Sequence, residues 1–186
     1  MSATSAFSFR LAGTVILLSL FATAPLSSAS AQATTSKMKG LELSNDEPIQ
    51  IESDKLEIKD AESKALFSGN VKVVQGTTVL QAGSMVVYYK KGGGAISGGN
   101  ADIDRIEVSQ KVFLSSGTQQ ATADNGEFNM TAQTLVLKGK QVVLSEGKNV
   151  FTGCQLNVQM NTGEAQLEAC GGRVQIQLDP KSQKTN

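Results

Sequence analysis

Two cysteines, Cys154 and Cys170, and a complete absence of histidine set the chemistry open to this chain of 186 residues. Without an imidazole, the Ser-His-Asp and Cys-His nucleophile arrangements lack their base, and the common histidine-based zinc and iron sites lack their ligand. Asp102 and Asp104 stand two apart at what reads as a strand start, a pattern that fits a solvated edge better than a cation site. Asp54 and Asp124 fall at corresponding places of an internal repeat and read as turn residues rather than as a carboxylate pair for glycan hydrolysis. The run Gly92-Gly-Gly94 lacks the Gly-Lys-Ser/Thr that completes a phosphate-binding loop, and Lys90 and Lys91 read as a solvated turn. The chain is therefore read as non-enzymatic, with no catalytic residue, metal or cofactor.

What remains is thiol oxidation, and the N-terminus bears on it. After Arg10 comes the apolar run Leu11 to Ala24, then Pro25 and the small-residue stretch Ala29-Ser-Ala31-Gln-Ala33, the order of a secretory signal peptide cleaved after Ala31 or Ala33. A spanning helix needs about 20 apolar residues, more than this run offers. Residues 1–33 are assigned to the signal and 34–46 to a flexible polar segment with little to bury. In an oxidising compartment, Cys154 and Cys170 flank a hairpin turn at Asn161 to Gly163 and are expected to form a structural disulfide. Two buried thiols or an intermolecular bridge are the alternatives, because Cys154 alternates in step with Leu156 and Val158 while Cys170 falls out of step with Ala165 and Leu167. A bulge near Ala169 to Gly172 would restore the alignment.

Charge excludes further classes. The 17 basic and 17 acidic side chains become 16 and 17 once Arg10 leaves with the signal, so no electrostatic footprint for nucleic acid or an anionic membrane remains. The mature length suits one domain. With no Trp and seven Phe, its interior is filled by Val, Ile, Leu, Met and Phe.

The elements behind these residues are strands. Ile49-x-Ile51, Leu56-x-Ile58, Val71-x-Val73, Met85-x-Val87, Ile106-x-Val108, Val112-x-Leu114, Phe128-x-Met130, Leu135-x-Leu137, Leu156-x-Val158 and Val174-x-Ile176-x-Leu178 alternate apolar with polar or small residues at period two. Turn signals separate them at Asp60 to Ser63, Ser68-Gly-Asn70, Gln75-Gly76, Asp124-Asn-Gly126, Lys138-Gly139 and Glu146-Gly147. The stretch Ile51 to Ile58 returns at Leu80 to Val87, at Ala121 to Phe128 and at Phe151 to Val158, and Ala65 to Gly76 returns at Leu135 to Gly147. Repeated short antiparallel strands, each apolar on one face, must stack to cover one another. Ala101 to Val108 is the one stretch where a helix competes. If Phe67, Met85, Phe128 and Phe151 touch across the middle, the interior is a core; if the sheets splay, the same residues line a groove for acyl chains.

The segment Pro48-Ile-Gln-Ile-Glu-Ser-Asp-Lys-Leu-Glu-Ile58, followed by Ala65-x-Phe-Ser-Gly-Asn-Val-Lys-Val-x-Gln-Gly76 and Leu80-x-Ala-x-x-Met-x-Val-x-Tyr88, resembles the LptA-type, OstA-like family of periplasmic lipopolysaccharide transport proteins. The resemblance, which runs from Pro48 to about Leu144, implies an all-β protein, a twisted β-jellyroll open at both ends; that domain is assigned to residues 47–178, and the polar residues 179–186 are read as a disordered tail. It implies a periplasmic carrier that shields lipid A acyl chains without catalysis. It also implies head-to-tail homo-oligomers bridging an LptC-like inner-membrane component to an LptD-like outer-membrane component. Ile49 matches the position after the motif proline, at the mouth of the family's groove, and Ile51, Leu56 and Ile58 match neighbouring inward positions. Phe67, Met85, Ile106, Phe128, Leu137, Leu156 and Val158 join them by alternation and repeat alignment. A structural or adhesive β-repeat module of the cell envelope, with a sealed interior, is the alternative.

Overall fold

The structure is a computed structural model that describes residues 41, 43, 44, 47–92 and 101–180. The expected signal (1–33), most of the segment 34–46, the glycine-rich loop after Gly92 and residues 181–186 lie outside the described residues. Ten strands form the described part of the unit Thr34–Asn186: β1 Gln50–Glu52, β2 Lys55–Lys59, β3 Lys64–Gln75, β4 Thr78–Tyr89, β5 Ile103–Ser116, β6 Gln119–Asn129, β7 Thr134–Glu146, β8 Asn149–Gln159, β9 Glu164–Glu168 and β10 Gln175–Gln177. All pairings are antiparallel, in a meander from β3 to β8. The all-β fold open at its ends is as the sequence leads one to expect. The stretch where a helix competes, Ala101 to Val108, runs into β5 instead.

The strands are long where short ones were expected. Ser68-Gly-Asn70, Asp124-Asn-Gly126 and Lys138-Gly139, read as turns, lie inside β3, β6 and β7. They are bulges: the register slips between Ser68 and Val71, between Thr122 and Asn125, and between Lys138 and Val142, with matching slips in β4 and β5. Gly69 and Asn70 have φ of 78° and 47°, and Gln110 and Lys111 of 70° and 60°, so the left-handed residues bend the strand without reversing it. True reversals occur at Gly76, Gly117 and Gly147, two-residue hairpins with positive φ at the first central residue. The opposite strand ends turn through Asp60 to Ser63, Met130 to Gln133 and Met160 to Gly163, each closing on a left-handed residue.

Because the bulges line up across neighbouring strands, they divide the sheet into two leaves. One leaf contains β2, the first part of β3 (Lys64 to Ser68) and β9; the other contains β1, the second part of β3 (Val71 to Gln75) and β10. Asp54, at the corner between β1 and β2, braces this line. Its Oδ2 accepts from Asn70 Nδ2 at 2.8 Å and its N–H donates to Gly69 O at 2.9 Å. A side chain at Gly69 would collide with it. Asp124 does the same from the repeat, accepting from the Lys140 N–H at 2.8 Å. Both aspartates therefore serve bulges rather than turns.

The inner faces of the two leaves make one core. Val71, Leu80, Leu114, Leu135, Val142 and Leu156 are all fully buried, and since the described residues hold no α-helix, the cover over one leaf is the other. Two further side chains correct the expected boundary at residue 47: Leu41 and Leu43, assigned to a flexible polar segment, are 1% and 3% exposed within this core. Their two leucyl side chains outweigh the polar residues around them. Asp179, assigned to the tail 179–186, is held in the structure: its N–H donates to Asn149 Oδ1 and its carboxylate pairs with Lys148.

Candidate functional site

The sequence-predicted site residues divide by their position along the meander. Phe67, Met85, Ile106, Phe128, Leu137, Leu156 and Val158 are buried in the common core. Cross-strand register joins several of them directly: Phe67 to Met85, Ile106 to Phe128, and Leu137 to Leu156. The interior between the leaves is thus closed by side chains along its middle. Ile49 and Ile51 are half-buried and pack against this core from β1 and the residue before it.

Leu56 and Ile58 differ. They stand opposite Phe67 and Ala65, so they point to the same side as the core, yet they are 49% and 39% exposed. The inward position read from sequence is right in face, but these side chains are half exposed: among the described residues, β2 is the last strand of its leaf and has no neighbour beyond it. The other end repeats this. Ile176 of β10 stands opposite Phe151, which packs on the core, and Ile176 and Leu178 are 55% and 51% exposed. An apolar inner face therefore runs the length of the meander, covered in the middle and bare at each end. Two recesses, of ≈ 430 and ≈ 260 Å³, open along the bulge line instead, and of the predicted residues only Met85 lines one of them.

The structure joins Cys154 to Cys170 in a disulfide, with Cα atoms 5.8 Å apart. The parity conflict disappears because β9 ends at Glu168 and the chain turns through Ala169 to Gly172, with φ of 96° at Gly171, so Cys170 is not bound by strand alternation. The bridge pins the corner between β9 and β10 to β8. The N-terminal corner between β1 and β2 is held instead by hydrogen bonds, those of Asp54 and that of the Ser53 hydroxyl to Lys55 O at 3.1 Å.

The rims of the two leaves differ in chemistry. The last inward residues beside the glycine hairpins are Gln75, Thr78, Ser116 and Gln119, cross-strand neighbours in that order and all buried. On the other leaf the corresponding places hold buried Tyr89, Met130 and Met160. The Tyr89 hydroxyl donates to Asp60 Oδ1 at 2.5 Å; burial first, and this bond second, push its pKa up to about 12. Its neighbour Tyr88 faces outward, under the Arg105 guanidinium at 3.8 Å and bonded to Glu107. Each member of the polar row borders a two-residue glycine-threonine turn, where the turn signal masks the strand period. Continuing the alternation of Val71, Val73, Gln75 and of Val112, Leu114, Ser116 by one step would have found it.

Comparison with known proteins places this geometry. Residues 50–164 match the family model described as LptA/(LptD N-terminal domain) LPS transport protein. An uncharacterized protein of Rhizobium meliloti (strain 1021) is 71% identical over 186 residues, the whole of both chains. The LPS-assembly protein LptD of Aliivibrio fischeri is 29% identical over 125 residues, which are 62% of this chain and 16% of that one. Among solved structures, LptH of Pseudomonas aeruginosa, described as the LptA homologous periplasmic component of the lipopolysaccharide transport device, shares the fold. It superimposes with a TM-score of 0.61 at 17% identity, covering 72% of this chain and 96% of that one. Among the described residues, no helix is long and apolar enough to cross a membrane.

Proposed function

From the premise that this chain belongs to the family of LptA and LptD N-terminal domain lipopolysaccharide transport proteins, we propose that it is a periplasmic, non-enzymatic carrier for the acyl chains of lipopolysaccharide. A lipid with several acyl chains crosses water only under cover, since each exposed methylene costs about 0.8 kcal/mol. The observation that carries this reading is the apolar inner face that continues, uncovered, past the core onto Leu56 and Ile58 at one end and Ile176 and Leu178 at the other. Cargo chains meet these side chains first. They then pass between the leaves, which separate about the bulge line where the backbone is already bent.

The free edges suit assembly. Among the described residues, β1 and β2 at one end and β9 and β10 at the other have no strand pairing on their outer edges, a template for adding a strand of another copy or of a homologous domain. Head-to-tail addition extends the apolar face from one copy to the next, bridging an LptC-like inner-membrane partner to an LptD-like outer-membrane partner. The closed middle of the interior favours a second reading, a structural envelope module with a sealed core. A photo-crosslinking residue at position 49 or 56 in living cells separates the two. Lipopolysaccharide adducts at both positions, and none at outward Glu57, are expected; adducts to protein alone would leave the structural reading.

A further inference from the structure

Among the described residues, the buried side-chain polar atom without a hydrogen-bond partner is Gln119 Oε1, on the polar rim. Gln119 Nε2 reaches only Glu146 Oε1, at 3.5 Å. The first member of the same row, Gln75, shows what such a glutamine can hold. Its Oε1 accepts from the Ser44 N–H at 2.7 Å, and its Nε2 donates to Ser44 O at 2.7 Å and Glu47 O at 2.9 Å. Immediately before this docked amide, Leu41 and Leu43 lie in the core. The chain thus seats an amide on the rim while the hydrocarbon attached to it lies between the leaves. Between the two glutamines, Thr78 Oγ1 donates to Ser116 Oγ at 3.3 Å, so the row is continuous over three strand spacings, roughly 14 Å.

We infer that the rim from Gln75 to Gln119 is a recognition site for the polar junction of an acylated lipid, and that Gln119 Oε1 accepts a hydrogen bond from an N–H or O–H at that junction. The inference rests on the carrier reading above. A buried carbonyl oxygen lacking a donor is destabilising, and a ligand that supplies one relieves it. An amide-linked or hydroxylated acyl chain has such a donor next to its hydrocarbon; an ester-linked chain has only acceptors there. The rim therefore selects amide-linked amino-sugar lipids over glycerol diesters of the same chain length. Ser44 and Glu47 hold the Gln75 end of the same row.

The test measures binding of two lipids by the purified protein and by Gln119→Met: a synthetic glucosamine phosphate lipid with amide-linked hydroxyacyl chains, and phosphatidylglycerol of equal chain length. The wild-type protein should bind the amino-sugar lipid more tightly. Gln119→Met should weaken that binding about threefold to tenfold, one hydrogen bond's worth, and leave phosphatidylglycerol unchanged. Equal binding of both lipids, or an equal effect of the substitution on both, overturns the inference while the carrier reading stands; uptake of neither lipid overturns both. Should Gln119→Met fail to fold, the wild type still decides. The side-chain amide resonance of Gln119, compared with exposed Gln120, must shift with the amino-sugar lipid, and its constancy overturns the inference.

Discussion

Leu137 and Leu56 obey one alternation and face one interior, yet the first is fully buried and the second half exposed. Leu137 has strands on both sides and a second leaf over it. Leu56 sits on the last strand of its leaf, where cover from the side stops. The same period-two pattern is thus a core in the middle of the meander and an accessible apolar surface at its ends. What distinguishes a sealed residue from an accessible one here is the number of neighbouring strands, not its type.

Substitutions sharpen this contrast. Leu137→Ala should destabilise by about 2–5 kcal/mol in urea titration, because the cavity is closed on every side. Leu56→Ala should change stability by no more than about 0.5 kcal/mol while reducing uptake of a fluorescent acyl probe. If both lose stability alike, the ends are core and the contrast collapses. The two ends themselves differ by the cross-link. Replacing Cys154 and Cys170 together with Ser should cost about 3 kcal/mol, with amide exchange accelerating first in β9 and β10. At the other corner, Asp54→Ala removes the bond from Asn70 and should cost about 1 kcal/mol, seen as faster exchange at Gly69 and Asn70. Faster exchange spread evenly over the sheet would show that the corner does not act locally.

The smallest effect belongs to the apolar rim. The Tyr89 phenol holds its proton up to about pH 12 in the folded chain, against about 10 for an ordinary tyrosine, so its contribution is complete below pH 10 and is lost as pH rises toward 12. Thermal melts should fall in Tm across that window, and Tyr89→Phe should flatten the fall. An unchanged slope would assign it to other groups.

Alternation at Ile106, Phe128, Leu137 and Leu156 was sufficient to place these side chains inward, since a strand pointing them outward would expose its whole apolar set. Cys154 and Cys170, which flank one hairpin, likewise pointed to the disulfide that they form. The bulges were not so legible. Ser68-Gly-Asn70 and Lys138-Gly139 carry the residues of a turn, and whether left-handed backbone reverses a strand or only bends it depends on the partner strand continuing alongside. Leu41 and Leu43 were hidden for a related reason: two apolar residues in a polar stretch gain burial only because Gln75 happens to dock the amide beside them.

Sequence by itself determined the all-β class, the inward set and the family resemblance, because side-chain direction along a strand is a local property of period two. Only the tertiary structure decided which inward residues are sealed and which are bare, where the sheet folds on itself, and which buried polar atom lacks a partner. Those depend on what lies across the sheet, many residues away in the chain, and no local pattern carries that distance.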